Sequence, residues 1–403
     1  MPTYLEFDPN DAAFMRNPYP VLNALREEAP IFWHEATGMW FVSRYDDLYT
    51  LLRDRRLGRQ ITHIMPREAL GLPPRNPDYA PFYMLSDNSM FDKEPPDHTR
   101  IKNLVHKVFT PRRVESLRGQ IQQIADDLLD AVESRGEMDL LEDYAVPLPV
   151  MVIAALLGVP EADRHKLRPW SADIVRMFEL NHTEETAQQA VRAAQEFTDY
   201  LRALSRQRRD DPRDDLISAL AAVEDDGDTL SEDELIATCV LLLNAGHEAT
   251  VNGFGNGMLA LLNHPEQLER LKTHPELLRT TVEEMLRYDA PLQLFRRWVL
   301  EDMTYRGHDF KLGQEIAFLF GAANRDPETF TQPNTFDIAR DPNPHITFGV
   351  GIHYCLGAPL ARMELNISFA TLLRRLPHLE LIEEPRFKPS FVLRGLEAFH
   401  VCF

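Results

Sequence analysis

Two glycines crowd the approach to one cysteine and a third follows it in the stretch Phe348-Gly349-Val350-Gly351-Ile352-His353-Tyr354-Cys355-Leu356-Gly357-Ala358-Pro359-Leu360-Ala361-Arg362, and an amphipathic run from Ala358 to Leu376 comes next. The pattern predicts a tight loop that turns into a helix, with Cys355 just before the first turn. A thiolate held there lies near free backbone N–H groups and the positive end of the helix dipole, which favours its charged form. That suits a metal ligand. Small residues at 349, 351 and 357 let the backbone approach something broad and flat, with Phe348 placed to pack beneath it. A lone cysteine is also, on its own, an ordinary small buried hydrophobe. A haem is the natural candidate for such a flat partner.

With 44% hydrophobic and 26% charged residues, the chain is expected to build a large globular core. Length alone suggests two or three domains. No linker, repeat or low-complexity tract separates two cores, however, so residues 1–403 are expected to form one unit. Cys239, Cys355 and Cys402 make no disulfide framework and fit a reducing compartment. Met1 to Asn17 lacks the basic-then-apolar order of a signal peptide, and no apolar run approaches the ~20 residues that span a bilayer. A soluble, cytoplasmic, monomeric protein with no membrane contact is expected. A net charge of -20 argues against nucleic acid, whose phosphates demand basic surface.

Tyr19 to Glu28 has a helical pattern, and Ile31 to His34 with Met39 to Ser43 predicts a hairpin. Ile61 to Phe91 is proline-rich and apolar, predicting a long irregular loop that contacts substrate or packs on the surface. Helical patterns run from Pro95 to about Leu220, with turn signals at Gly136, Pro147, Gly158 and Asp210-Asp211-Pro212. Short strands are expected at 295–300, 303–305, 315–319, 379–382 and 399–403. The fold class is therefore mainly α, with a smaller β-rich region at about 18–60, 294–320 and 379–403.

Ser231 with Glu234 forms a capping box, and apolar periodicity carries a helix from there to Asn263-His264-Pro265. Its middle, Asn244-Ala245-Gly246-His247-Glu248-Ala249-Thr250, is unusual for a core helix. An interior glycine costs ~1 kcal/mol against alanine, and a buried acid costs more unless it is partnered or neutral. Small residues at 245, 246 and 249 would open room for a flat cofactor, with Glu248 delivering protons; otherwise they form a groove for a crossing helix, with Glu248 in solvent. His247-Glu248 begins a zinc HExxH motif, but Val251 occupies the second histidine position. Gly253, Gly255 and Gly257 miss the GxGxxG spacing. Glu284 and Arg287, three apart, share one helix face and ordinarily make a surface pair worth under ~1 kcal/mol.

The cysteine motif, the AGxE segment (Ala245, Gly246, Glu248) and ExxR (Glu284, Arg287) fall in the order seen in bacterial soluble cytochromes P-450, and the chain resembles that family over essentially its whole length. The resemblance implies the cytochrome P-450 fold and a haem-thiolate monooxygenase using haem b (Fe-protoporphyrin IX). Cys355 would be the axial ligand, with Phe348, Gly349 and Gly357 around the cofactor. His98, Lys102, Arg297 and His353 would hold the propionates, and Glu284 and Arg287, with Arg340 as third member, would form the structural pair behind it. Leu241, Asn244, Ala245, Ala249, Leu292, Gln293, Phe295, Val392 and Leu393 would line the substrate pocket. Asn244 would bond either a substrate oxygen or the neighbouring backbone.

Three departures stand out. Lys102 replaces the family's usual arginine, trading a fork for a point charge. Thr335 sits where a third arginine is often found. The acid Glu248 is followed by Ala249 and then Thr250, where the family usually has threonine directly after the acid. Thr250, ordered water or a substrate hydroxyl must then serve oxygen activation; the last two are expected, because Thr250 lies ~100° further round the helix than residue 249. The implied partners are an apolar small molecule of macrolide, terpenoid, steroid or fatty-acid type, O₂, and a ferredoxin with its reductase. Lys102, Lys107, Arg112 and Arg113 would be the ferredoxin's landing site or simply a solvated helix face. An H₂O₂-driven peroxygenase and a non-catalytic haem-binding sensor are the rival functions.

Overall fold

The capping box at Ser231 starts the longest helix of the computed structural model, which describes residues 6–178 and 183–403. The Ser231 hydroxyl accepts from the Glu234 N–H at 3.1 Å, and the Glu234 carboxylate accepts from the Ser231 N–H at 2.9 Å. The helix, Glu232–Leu262, has 31 residues and so runs about 46 Å. Helices Ala80–Asn88, Pro147–Leu157, Leu167–Val175, Leu278–Tyr288 and Ala358–Arg375 pack around it, enclosing it in the largest hydrophobic cluster. Its three late glycines are points of close approach. A Cβ at Gly257 would lie 2.9 Å from Met285, and one at Gly255 would lie 3.1 Å from Leu141.

A five-stranded mixed sheet stands beside the helices, in the order Ile31–His34, Met39–Val42, Glu315–Leu319, Leu294–Val299, Leu57–Gly58. The predicted hairpin is antiparallel, with Ile31 opposite Val42 and His34 opposite Met39. The expected C-terminal strands appear as Glu380–Leu381 and His400–Cys402, and the latter also pairs with Glu137–Asp139. Mainly α with a minor sheet is the observed class.

Two expectations are corrected here. The segment 61–91 is not irregular throughout, because Ala80–Asn88 is a helix with Pro81 in its first turn. Pro147 likewise opens the helix Pro147–Leu157. Both prolines sit where the missing N–H has no helical partner to lose. Met1 to Leu5 of the N-terminal expectation, and Glu179 to His182 of the helical one, lie outside the described residues. No described helix is long and apolar enough to cross a membrane.

Candidate active site

Gly349 (φ +71°) and Gly351 (φ +77°) are in the left-handed region, which only glycine adopts without strain. At Gly351 a Cβ would also lie 2.8 Å from the Leu52 carbonyl oxygen. These turns bring the Cys355 N–H to the Phe348 carbonyl at 3.0 Å, and the helix Ala358–Arg375 begins three residues later. Burial pushes the Cys355 thiol up, against the pull of the Gly357 and Ala358 N–H groups and of Arg362 and Lys102. The helix start favours the thiolate, as the sequence reading expects, but burial outweighs it; a coordinated metal ion removes the proton outright. A Cβ at Gly357 would meet only the Cys355 Sγ, at 3.9 Å, and one at Gly349 only the His353 carbonyl, at 3.8 Å. Both glycines leave space unobstructed. Phe348 is held by the Arg362 guanidinium 4.3 Å from its ring centroid, and Arg362 forks onto Glu283 at 2.7 and 2.8 Å.

A buried cationic cluster lies nearby. The His98 and His353 rings are 4.4 Å apart, and His353 Nε2 is 3.5 Å from Glu94. Burial, with His353 and Lys102 beside it, holds His98 down at about 4, and its Nδ1 is buried without a hydrogen-bond partner. Arg297 is buried and donates to the Arg296 carbonyl at 3.0 Å. Arg59, 3.1 Å from Asp92, packs its guanidinium on Phe91 and Phe295. Unpartnered buried donors beside an open glycine face fit a flat group bearing carboxylates, as a haem does. Lys102 Nζ donates to the Ile352 carbonyl and braces the cysteine loop. Sequence reasoning missed Arg59 and Glu94, which reach the cluster because Gly58 pairs with Trp298 across the sheet.

Between Leu235 and Leu261 only five residues of the central helix are not buried: Leu241, Ala245, Gly246, Glu248 and Ala249. Four of them recur at i, i+4, i+7 and i+8, forming one uncovered stripe. Gly246 instead faces Ile153, which a Cβ would meet at 3.4 Å. Asn244 borders the stripe, buried, with its Oδ1 unpartnered. Thr250 is buried, so it does not take the place of residue 249 on the stripe. Leu292 and Leu393 are half-buried and joined by an antiparallel bridge, and half-buried Phe295 stacks on Phe320 with ring centroids 6.2 Å apart. Gln293 is a correction. Gln293 is fully buried and donates to the Ala290 carbonyl at 2.8 Å and the Tyr19 hydroxyl at 3.2 Å. Val392 packs with Phe7, Phe14 and Phe391. Neighbouring positions in extended chain point to opposite faces.

Glu284 and Arg287 are not a surface pair, since both side chains are 0% exposed. Arg287 Nε and Nη2 reach the carboxylate at 2.7 and 2.8 Å, Arg340 Nε joins at 3.0 Å, Asn343 Nδ2 at 3.1 Å and the Asp337 N–H at 2.9 Å. Thr335, the departure from the usual arginine, contributes its carbonyl to Arg287 at 3.2 Å. The expected basic landing site is largely neutralised. Lys107 pairs with Asp225 at 2.5 Å and Arg113 with Asp214 at 3.4 Å. Exposed side chains next to the cysteine are apolar instead: Ile352 at 46% and Tyr354 at 43%.

A loop cysteine before a helix, a capped central helix with an uncovered small-residue stripe and a buried Glu–Arg network make a distinctive set, and residues 72–398 match the family model described as "Cytochrome P450". The chain belongs to the cytochrome P450 family. It is 44% identical to the polyketide biosynthesis cytochrome P450 PksS of Bacillus subtilis, with 98% of each chain covered. It is 39% identical to the vitamin D(3) 25-hydroxylase of Pseudonocardia autotrophica, covering 96% of this chain and 94% of that one. Among solved structures it resembles P450BioI in complex with an acyl carrier protein ligated by hexadec-9Z-enoic acid, with a TM-score of 0.91, 37% identity and coverage of 97% and 99%. It is a cytochrome P450 monooxygenase with the P450 fold, a family that implies haem, O₂ and an organic substrate.

Proposed function

We propose that the chain acts as one unit, in the cytoplasm, to insert one oxygen atom of O₂ into a long apolar molecule, with haem b ligated by Cys355. His98, Arg297 and His353, joined by Arg59, would hold the propionates. Bound haem would supply the oxygen and electron chemistry that no side chain provides. The observation that carries this assignment is the stripe Leu241, Ala245, Glu248 and Ala249, uncovered in an otherwise buried helix. It is apolar apart from one acid, so it favours hydrocarbon while Glu248 handles protons. PksS is named for polyketide biosynthesis, another relative for vitamin D(3), and P450BioI was solved with a fatty acyl chain; all suit an extended apolar substrate. Electrons would come from a ferredoxin and its reductase, docking on the face where Ile352 and Tyr354 stand exposed beside Cys355.

The decisive experiment screens an apolar library for a low-to-high-spin shift, then measures product per NADPH with ferredoxin and reductase. Product from peroxide alone, and none from the electron-transfer system, sinks the assignment in favour of a peroxygenase. With the substrate in hand, Thr250→Ala should leave product per NADPH unchanged. Ala249→Thr should lower turnover by up to ~10²-fold, as misplacing a bound substrate by ~1 Å does. If Thr250→Ala is the damaging change, the threonine does substitute and a substrate or water role is wrong.

Asn244 would hydrogen-bond a polar group of the substrate, because its buried Oδ1 lacks a partner. Asn244→Leu should weaken substrate binding by about 1–3 kcal/mol if that bond is made. Unchanged affinity in a spin-shift titration assigns Asn244 to the backbone instead.

A further inference from the structure

On a chain whose net charge is -20, the loop that follows the strand Leu57–Gly58 gathers positive charge. A recess of about 160 Å³ opens there, between that loop, the helix Ala80–Asn88 and Trp298 of the sheet. Four cations line it, Arg59, Arg67, Arg75 and Lys93, against two carboxylates, Asp87 and Asp92. Each carboxylate is already committed to one arginine. Arg75 forks onto Asp87 at 2.5 and 2.7 Å, and Arg59 holds Asp92 at 3.1 Å.

The other two cations are left over. Arg67 has no carboxylate partner among the described residues; its Nε and Nη2 both donate to the Pro73 carbonyl, at 3.1 and 3.0 Å. Lys93 reaches only Asp97 among the described residues, at 4.0 Å, and that acid is 57% exposed while the lysine is 22% exposed. So distant and solvated a partner does little for a largely covered ammonium. Arg59 Nε, in addition, is buried without a hydrogen-bond partner. Arg59 also belongs to the cluster assigned to the haem, whereas Arg67 and Lys93 do not.

The recess communicates with the substrate pocket. The Arg59 guanidinium lies 4.6 Å from the Phe295 ring centroid, and its Nη1 donates to the Arg296 carbonyl at 3.1 Å. The helix Ala80–Asn88, which supplies Asp87, packs on the central helix that carries the uncovered stripe. Ile61, Leu72 and Trp298 add apolar lining. A whole small-molecule ligand takes ~300–1,000 Å³, so this volume suits one polar end of a longer molecule.

We propose that the recess is an anion subsite that takes a carboxylate at the end of the apolar substrate, held by Arg67 and Lys93 with Arg59 behind them. It rests on the extended apolar substrate proposed for this enzyme, and names the group at the end remote from the oxidised carbon. A carboxylate suits the recess because its two oxygens can accept from an arginine and an ammonium at once.

Calorimetric titration of the haem-loaded protein tests this without turnover. The probes are dodecanoic acid, its methyl ester and dodecyl phosphate at pH ~7.5, where the acid is ionised. The acid should bind about tenfold more tightly than the ester, the worth of one charge-assisted hydrogen bond. Its affinity should fall as salt rises, while that of the ester does not. Arg67→Gln combined with Lys93→Gln should remove the preference for the acid and leave the ester's affinity near the parent's. Equal binding of acid and ester by the parent at low salt overturns the subsite, and needs no variant to fold. Equal weakening of acid and ester in the double variant overturns it too, because that marks a structural role. Dodecyl phosphate binding more tightly than the acid, with the excess lost in the double variant, overturns the carboxylate in favour of a phosphate. If the ester binds and the acid gains nothing over it, only the subsite is lost. If neither binds and no apolar molecule shifts the spin state, the apolar-substrate reading fails with it.

Discussion

Cys355→Ser is expected to abolish monooxygenase turnover, together with the red-shifted absorption that a thiolate gives the reduced carbon-monoxide adduct. Serine is nearly isosteric, and the loop that presents position 355 does not depend on sulfur. Gly349 and Gly351 set its turns, and the Cys355 N–H to Phe348 carbonyl bond at 3.0 Å is made by backbone. Secondary structure and unfolding temperature of the haem-free protein should therefore stay near those of the parent. The loss is electronic: an alkoxide is a harder ligand, and at neutral pH a serine hydroxyl does not ionise as a metal-bound thiol does. The surroundings make the same point, since burial alone pushes the Cys355 thiol up. A Cys355→Ser protein that still shows the thiolate band would mean that another sulfur holds the metal. Cys239 is fully buried in the central helix and Cys402 lies in the C-terminal strand, so neither is set in a comparable loop.

Signals within a few residues were legible from the chain. The capping box at Ser231 and Glu234, the glycine turns before Cys355 and the hairpin at 31–42 each follow from local chemistry, and each appears where it was expected. The uncovered stripe was legible in part: of the small residues expected to open it, 245 and 249 have the helical period and do so, whereas Gly246 packs against Ile153. What the chain did not disclose depends on contacts between distant segments. Arg59 joins the cationic cluster only through a two-residue strand paired with Trp298. Lys107 and Arg113 look like free basic surface until Asp225 and Asp214 are seen to neutralise them. Gln293 was misassigned for a different reason. In extended chain one residue's change of phase reverses the face, and without a partner strand the phase is not fixed.

The Glu284–Arg287 network should give the largest effect on folding, and comparing single with double variants tells a network from a pair. Arg287→Ala leaves Glu284 buried with reduced compensation and strands the carbonyls of Asn324 and Pro333, which Arg287 holds at 2.9 and 2.8 Å, while the Thr335 carbonyl keeps Arg340 Nη2 at 3.1 Å. Removing one partner of a buried ion pair costs about 3–5 kcal/mol, and each orphaned buried acceptor adds roughly 1–3 kcal/mol. Against a typical total stability of ~5–15 kcal/mol, the variant should accumulate as little or no folded, haem-containing protein. Arg287→Lys should recover little of this, because an ammonium cannot span two carboxylate oxygens and three carbonyls at once. An isolated pair would behave differently, since replacing both members with apolar residues is often neutral or stabilising. Here Glu284 also accepts from Arg340, Asn343 and the Asp337 N–H, so Glu284→Leu with Arg287→Leu should stay as destabilised as the worse single variant. Thermal unfolding of the purified variants decides the matter: a double variant as stable as the parent would reduce the network to one dispensable pair.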